Sequence, residues 1–75
     1  MSKNTTKLKA VLLKYSVTFD MSDDEIFTAT LIDKTTGVGT ELQADSYTHI
    51  INKIYYYMKA ELRKEEEMLR NSLKG

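Results

Sequence analysis

From Ser46 to Leu73 the chain reads SYTHIINKIYYYMKAELRKEEEMLRNSL, with neither glycine nor proline. Placed 100° apart, Tyr47, Ile51, Ile54, Tyr55, Met58, Leu62 and Leu69 fall on one stripe, which predicts a single amphipathic helix over residues 46–73. Asp45 and Ser46 each offer an oxygen to the first free N–H groups. Gly75 sits just past the far end, with Arg70 and Lys74 near the negative pole of the helix dipole. The apolar stripe is dense before Ala60. After it, only Leu62, Leu69 and Leu73 remain, and Glu65 and Glu66 border them. The first half is therefore expected to pack on a domain and the second half to project past it.

The helix needs a surface to cover, and the preceding residues supply strands. YSVTF, from Tyr15 to Phe19, is β-branched and aromatic. Asp20 to Asp24 is a turn of residues that bond to their own backbone. From Glu25 to Ile32 the side chains alternate, with Phe27, Ala29 and Leu31 on one face. Asp33 to Gly37 is a second turn, and Val38 to Ala44 alternates again through Val38, Thr40, Leu42 and Ala44. Connections this short make the strands antiparallel. The segment KLKAVLLK fits two periods: Val11 and Leu13 continue an alternation, whereas Leu8, Val11, Leu12 and Tyr15 fit a helical stripe. Strand is the favoured reading for residues 7–14, with an extra short N-terminal helix as the alternative. The expected architecture is α+β: a flexible terminus over 1–6, a three-stranded antiparallel β-meander over 7–44, and one long C-terminal helix packed on one face.

A chain of 75 residues makes one small domain. Domains of this size bury a modest share of their surface and often need a disulfide, a metal or a partner. The chain has no cysteine and one histidine, His49. Disulfides, thiolate sites and multi-histidine metal sites are thus excluded. Association with a second copy or another protein is the remaining device, and a homodimer is the expectation. No apolar run has the length of a secretory signal or a membrane span, so a cytoplasmic protein that does not enter the membrane is expected.

Net charge is zero, but it is segregated. Lys3, Lys7, Lys9 and Lys14 stand at the N-terminus without an acid among them. Asp20, Asp23, Asp24, Glu25, Asp33, Glu41 and Asp45 occupy the middle against Lys34 alone. Overall neutrality argues against a general nucleic-acid coat, which needs a basic field. Opposed patches favour self-association.

Nothing in the sequence is specific to a reaction or a cofactor, and neither an enzyme nor a bound cofactor is expected. Asp20, Ser22 and Asp24 have the first spacings of an EF-hand loop, but Glu25 stands where its glycine belongs and Leu31 where its bidentate glutamate belongs. Gly37-Val38-Gly39 lacks the third glycine of a phosphate loop. His49 has no nucleophile placed for it, and Glu65-Glu66-Glu67 interleaves with Arg63, Lys64 and Arg70 as a solvated ion-pair face. The informative feature is Tyr55-Tyr56-Tyr57. Tyr55 belongs to the buried stripe and Tyr57 to its flank. Tyr56 points to the opposite side, with His49, Lys53, Ala60 and Arg63. An exposed tyrosine beside a small residue and cations is the composition of a protein contact surface. The candidate partner-binding residues are therefore Tyr56, Tyr57, His49, Lys53, Ala60 and Arg63, together with the acidic turn Asp23, Asp24 and Glu25. The alternative function is single-stranded nucleic-acid binding, with a base stacked on Tyr56 and phosphates met by Lys53, Arg63 and the N-terminal lysines.

From Tyr15 to Leu62, the positions Val17 and Phe19, the strand IFTATLID, the turn at Thr36-Gly37 and the helix opening ADSYTHIINKI resemble the partial fold of HicB-type antitoxins. The Gly-Cys pair and the later glycine of that family's segment are missing. The resemblance implies a strand–hairpin–strand–helix order. Small inhibitors and regulators of phages and plasmids share such sizes and topologies, and a protein-binding regulator of that type is the functional expectation.

Overall fold

A computed structural model describes the chain from Lys3 to Lys74, with side chains as far as Arg70. The elements in order are α1 (Lys3–Lys14), β1 (Tyr15–Met21), β2 (Phe27–Asp33), β3 (Gly39–Ala44) and α2 (Tyr47–Lys74). The three strands form one antiparallel sheet in the order β1-β2-β3. Tyr15 pairs with Asp33 and Met21 with Phe27; Phe27 then pairs with Ala44 and Ile32 with Gly39. The meander and the long helix are as expected.

The N-terminus corrects the favoured strand reading of residues 7–14 and the flexible reading of residues 3–6: the chain is helical from Lys3 to Lys14. The reason is the length of β2. It ends at Asp33, opposite Tyr15, and after the Lys34 N–H to Lys14 O bond the chain turns, so an extended residue 13 and its predecessors would find no strand to pair with. The segment instead expresses the helix propensity of Leu, Ala and Lys. It buries Val11 completely and lays Leu8 and Ala10 against the core. α1 and α2 run side by side in the same direction: Asn4 Nδ2 donates to Thr48 Oγ1 at 3.1 Å and Lys7 Nζ to Asn52 Oδ1 at 2.7 Å. Met1, Ser2 and the proposed cap at Gly75 lie outside the described residues.

The core is Val11, Tyr15, Ala29, Leu31, Ala44, Ile50, Ile51, Ile54 and Met58. It corrects the phase of the stripe on α2. Ile50 is fully buried, Tyr55 is only half-buried, and Tyr47, Leu62 and Leu69 are exposed. α2 has two neighbours, the sheet and α1, so its buried arc is wider and rotated relative to a single stripe. Side chains described from Leu62 to Arg70 are all exposed, so the helix does project as its second half predicted. Leu73 lies outside the described side chains. Ser46, and not Asp45, caps α2: its Oγ accepts the His49 N–H at 3.1 Å.

Each hairpin tip has its own solution. Between β1 and β2, the Glu25 N–H donates to Ser22 O at 2.9 Å and Ser22 N–H to Ile26 O at 3.0 Å. Glu25 closes this loop at φ 61°, which is why β2 begins at Phe27 and not at Glu25. A side chain in that region is strained by its Cβ, so Glu25→Gly is expected to stabilise the fold by about 0.5–1 kcal/mol. A denaturant midpoint unchanged or lowered would show that the turn carries no such strain.

Between β2 and β3, Gly37 takes φ 77° and Asp33 organises the loop. Its Oδ1 accepts the Thr35 and Thr36 N–H groups at 2.7 and 3.1 Å, and Lys14 Nζ approaches Oδ2 at 3.4 Å. These contacts, the Thr35 N–H first, hold its carboxyl below the usual carboxylate range despite partial desolvation. A lowered folded-state value stabilises the protein above the carboxyl's unfolded value, and that stabilisation disappears as pH falls through the folded one. Wild-type stability is therefore expected to decline below about pH 4, and Asp33→Asn to flatten that decline while lowering stability at neutral pH. Equal acid slopes for the two proteins in urea melts would contradict this role.

Candidate interaction surface

α2 carries His49, Lys53, Tyr56, Ala60 and Arg63 at alternating spacings of four and three, which places them in one line along its outer side. All five are exposed, Tyr56 by 62%. Their exposure agrees with the helical phase that placed Tyr56 away from the core. The strip also receives one of the N-terminal lysines, which the sequence brought to this face only in the nucleic-acid reading and without a position. Because residues 3–14 are helical and lie along α2, Lys7 Nζ stands 5.5 Å from the ring centres of both Tyr55 and Tyr56. Lys59 Nζ is 5.5 Å from the Tyr55 ring on its own helix. The two rings meet near edge-on, 5.7 Å apart at 68°. Tyr56 is thus an exposed ring braced by a neighbouring ring and a cation, an arrangement that limits its rotamer freedom before any partner arrives.

The N-terminal end of the strip is tied down. Lys53 Nζ donates to the Gln43 carbonyl at 2.6 Å. His49 Nδ1 lies 3.1 Å from Asp45 Oδ1, and that contact, first among several, holds the Asp45 carboxyl below its usual range.

Two other sequence candidates lie elsewhere. Tyr57 turns away from the strip: its hydroxyl shares a hydrogen bond with Thr40 Oγ1 at 2.9 Å, and its ring lies 6.1 Å from that of Tyr15. It props β3 against α2. Asp23, Asp24 and Glu25 are exposed at the β1–β2 tip, on a separate element from Tyr56.

Near that tip the structure shows a second cluster. Tyr47 at the start of α2 lies 6.3 Å from the Phe19 ring and 6.5 Å from the Phe27 ring. Phe19 is 38% exposed and Met21 54%. The signal for it was the alternation Val17, Phe19, Met21 on β1. It was missed because Tyr47 was assigned to the buried stripe and Asp20 and Met21 to the turn, whereas β1 runs on to Met21.

A cleft of about 220 Å³ opens between β1, the β2–β3 turn and α2, lined by Tyr15, Asp33, Thr36, Val38, Tyr57, Glu61 and Glu65. Lys14 Nζ answers its carboxylates, reaching Glu65 Oε1 at 3.1 Å as well as Asp33. Burial pushes the Tyr15 hydroxyl's pKa up. Every buried side-chain polar atom among the described residues has a partner. Among the described residues no group of three potential ligands stands together to hold a metal ion.

Fold and surface together define a small α+β domain, three antiparallel strands with two helices, that displays a basic aromatic strip on its longer helix. No described helix is long and apolar enough to cross a membrane. No family model matches the chain, and neither a curated protein nor a solved structure does.

Proposed function

We propose that this protein is a non-enzymatic protein-binding module, a small regulator or inhibitor of the type carried by phages and plasmids, and that it contacts its partner through the outer side of α2. The observation that carries this reading is Tyr56, 62% exposed yet held by Tyr55 and Lys7. An aromatic ring that is exposed and already ordered gives large contact area at small entropic cost, as interface anchors do. His49, Lys53, Ala60 and Arg63 surround it with a small residue and basic side chains. That composition suits an acidic, partly apolar segment of another protein.

A second reading uses the same strip for single-stranded nucleic acid. It is favoured by the cations Lys7 and Lys59 beside the tyrosine pair, where phosphates flanking a stacked base would fall. It is disfavoured by the net charge of zero. Capture from host lysate on wild-type and Tyr56→Ala protein, followed by titration of whatever is retained at rising salt, separates the readings. Nucleic acid weakens steeply with salt, and an apolar protein contact does not. Retention of the same partner by both proteins would remove Tyr56 from the surface.

A further inference from the structure

The sheet has two edges, and they are treated differently. The hydrogen bonds Lys34 N–H to Lys14 O and Ser22 N–H to Ile26 O bracket the β1–β2 ladder. In an antiparallel ladder bonded residues alternate, so Ser16, Thr18 and Asp20 spend their backbone groups on β2. Tyr15, Val17, Phe19 and Met21 then turn theirs outward, away from the sheet. The same reasoning from Asp33 N–H to Val38 O turns Gly39, Glu41 and Gln43 outward on β3. There Lys53 Nζ already occupies the Gln43 carbonyl, a lysine blunting an edge. On β1, Asp20 Oδ1 occupies the Met21 N–H at 2.8 Å. No backbone hydrogen bond among the described residues reaches Val17 or Phe19 from outside the sheet. The side chains of that edge are apolar and open: Phe19 and Met21, beside the exposed Tyr47.

We propose that β1 pairs with β1 of a second copy of this chain, antiparallel about a two-fold axis at Phe19, joining two meanders into one six-stranded sheet. The pairing is argued from complementarity. With Phe19 opposite Phe19, Val17 of each copy faces Met21 of the other, so Val17, Phe19 and Met21 make the centre of one face of the new junction apolar. Thr18 faces Asp20 on the open side. Extending the register, Asp23 and Asp24 at the hairpin tip arrive beside Tyr15 and Lys14 of the second copy. Lys34 is at that end too, because its Nζ donates to the Leu12 carbonyl at 2.6 Å and so brings a charge that this carbonyl does not neutralise. Lys14 is already answered by Asp33 and Glu65, so Lys34 is the cation that each acidic tip meets on the other copy, twice over by symmetry. The projecting end of α2 is the weaker candidate, because Glu65 and Glu66 interrupt its exposed leucines, Leu62 and Leu69. The β1 pairing leaves the Tyr56 strip untouched, and its test does not depend on that reading.

The test uses mass in solution and a cross-link. At about 100 µM the wild type is expected to scatter light as twice the 8.6 kDa chain, a state that mass action favours at high concentration. Phe19→Lys sets two cations against each other on the axis and is expected to give a monomer with unchanged circular dichroism. The chain contains no cysteine, so a single introduced thiol can only bridge two copies. Phe19→Cys is expected to form a disulfide dimer on mild oxidation, since residues paired this way have Cα atoms roughly 5.5 Å apart. Glu41→Cys, on the blunted edge, is expected not to. Should Phe19→Lys fail to fold, the cross-link decides. A wild-type monomer, a dimer that survives Phe19→Lys, or equal cross-linking at both edges would overturn the proposal.

Discussion

Ile54→Ala is expected to cost about 3–4 kcal/mol of folding free energy, within the roughly 2–5 kcal/mol typical of emptying a buried aliphatic site. Ile54 has no exposed surface and sits among Ile50, Ile51, Met58 and the sheet residues Ala29 and Leu31. A domain of this length holds only roughly 4–11 kcal/mol in all, so the variant should lie near the edge of unfolding. Tyr55→Ala is expected to cost less, about 1–2 kcal/mol, because that ring is half-buried and its neighbours include the flexible side chains Lys7 and Lys59. A single helical stripe, which holds both Ile54 and Tyr55, would make Tyr55 a core residue as well and its loss comparably costly. Denaturant melts of the two variants check the ordering. If Tyr55→Ala proves the more damaging, the rotation of α2 described here is wrong.

Tyr56→Ala is expected to leave folding within about 0.5 kcal/mol of wild type, since alanine is the better helix former and the ring is mostly in water. Partner binding should fall about tenfold or more, the loss of roughly 1.4 kcal/mol or more that a central interface aromatic carries. Lys7→Ala should weaken binding less, by freeing the ring it braces. The pair of measurements is a melt and a binding titration on each protein. Unchanged folding with unchanged binding for Tyr56→Ala would move the contact surface elsewhere, with the β1–β2 tip as the next place to look.

Much of the molecule was legible in local pattern. The alternation of Phe27, Ala29 and Leu31 matches the helix-facing side of β2, and Thr40, Leu42 and Ala44 match that of β3. Asp33 and Gly37 announced their turn, because the required chemistry, a carboxylate for loop N–H groups and a residue at positive φ, belongs to few residue types. The strip of His49, Lys53, Tyr56, Ala60 and Arg63 followed from helical period alone, since its members need only share a helix and face water.

What local pattern left open was decided by neighbours. KLKAVLLK satisfies both periods, and only the end of β2 at Asp33, which denies it a pairing strand, makes it a helix. That choice in turn places Lys7 beside Tyr56, a contact across nearly fifty residues that no spacing rule reaches. It also gives α2 a second neighbour, which rotates its buried arc to take in Ile50 and release Tyr47 toward Phe19. Turns and helical faces are set by interactions between residues close in the chain, and these the sequence by itself determined. The state of an ambiguous segment, and the side of a helix that is buried, depend on which surfaces remain unsatisfied once the sheet has formed. Those were settled only by the tertiary structure.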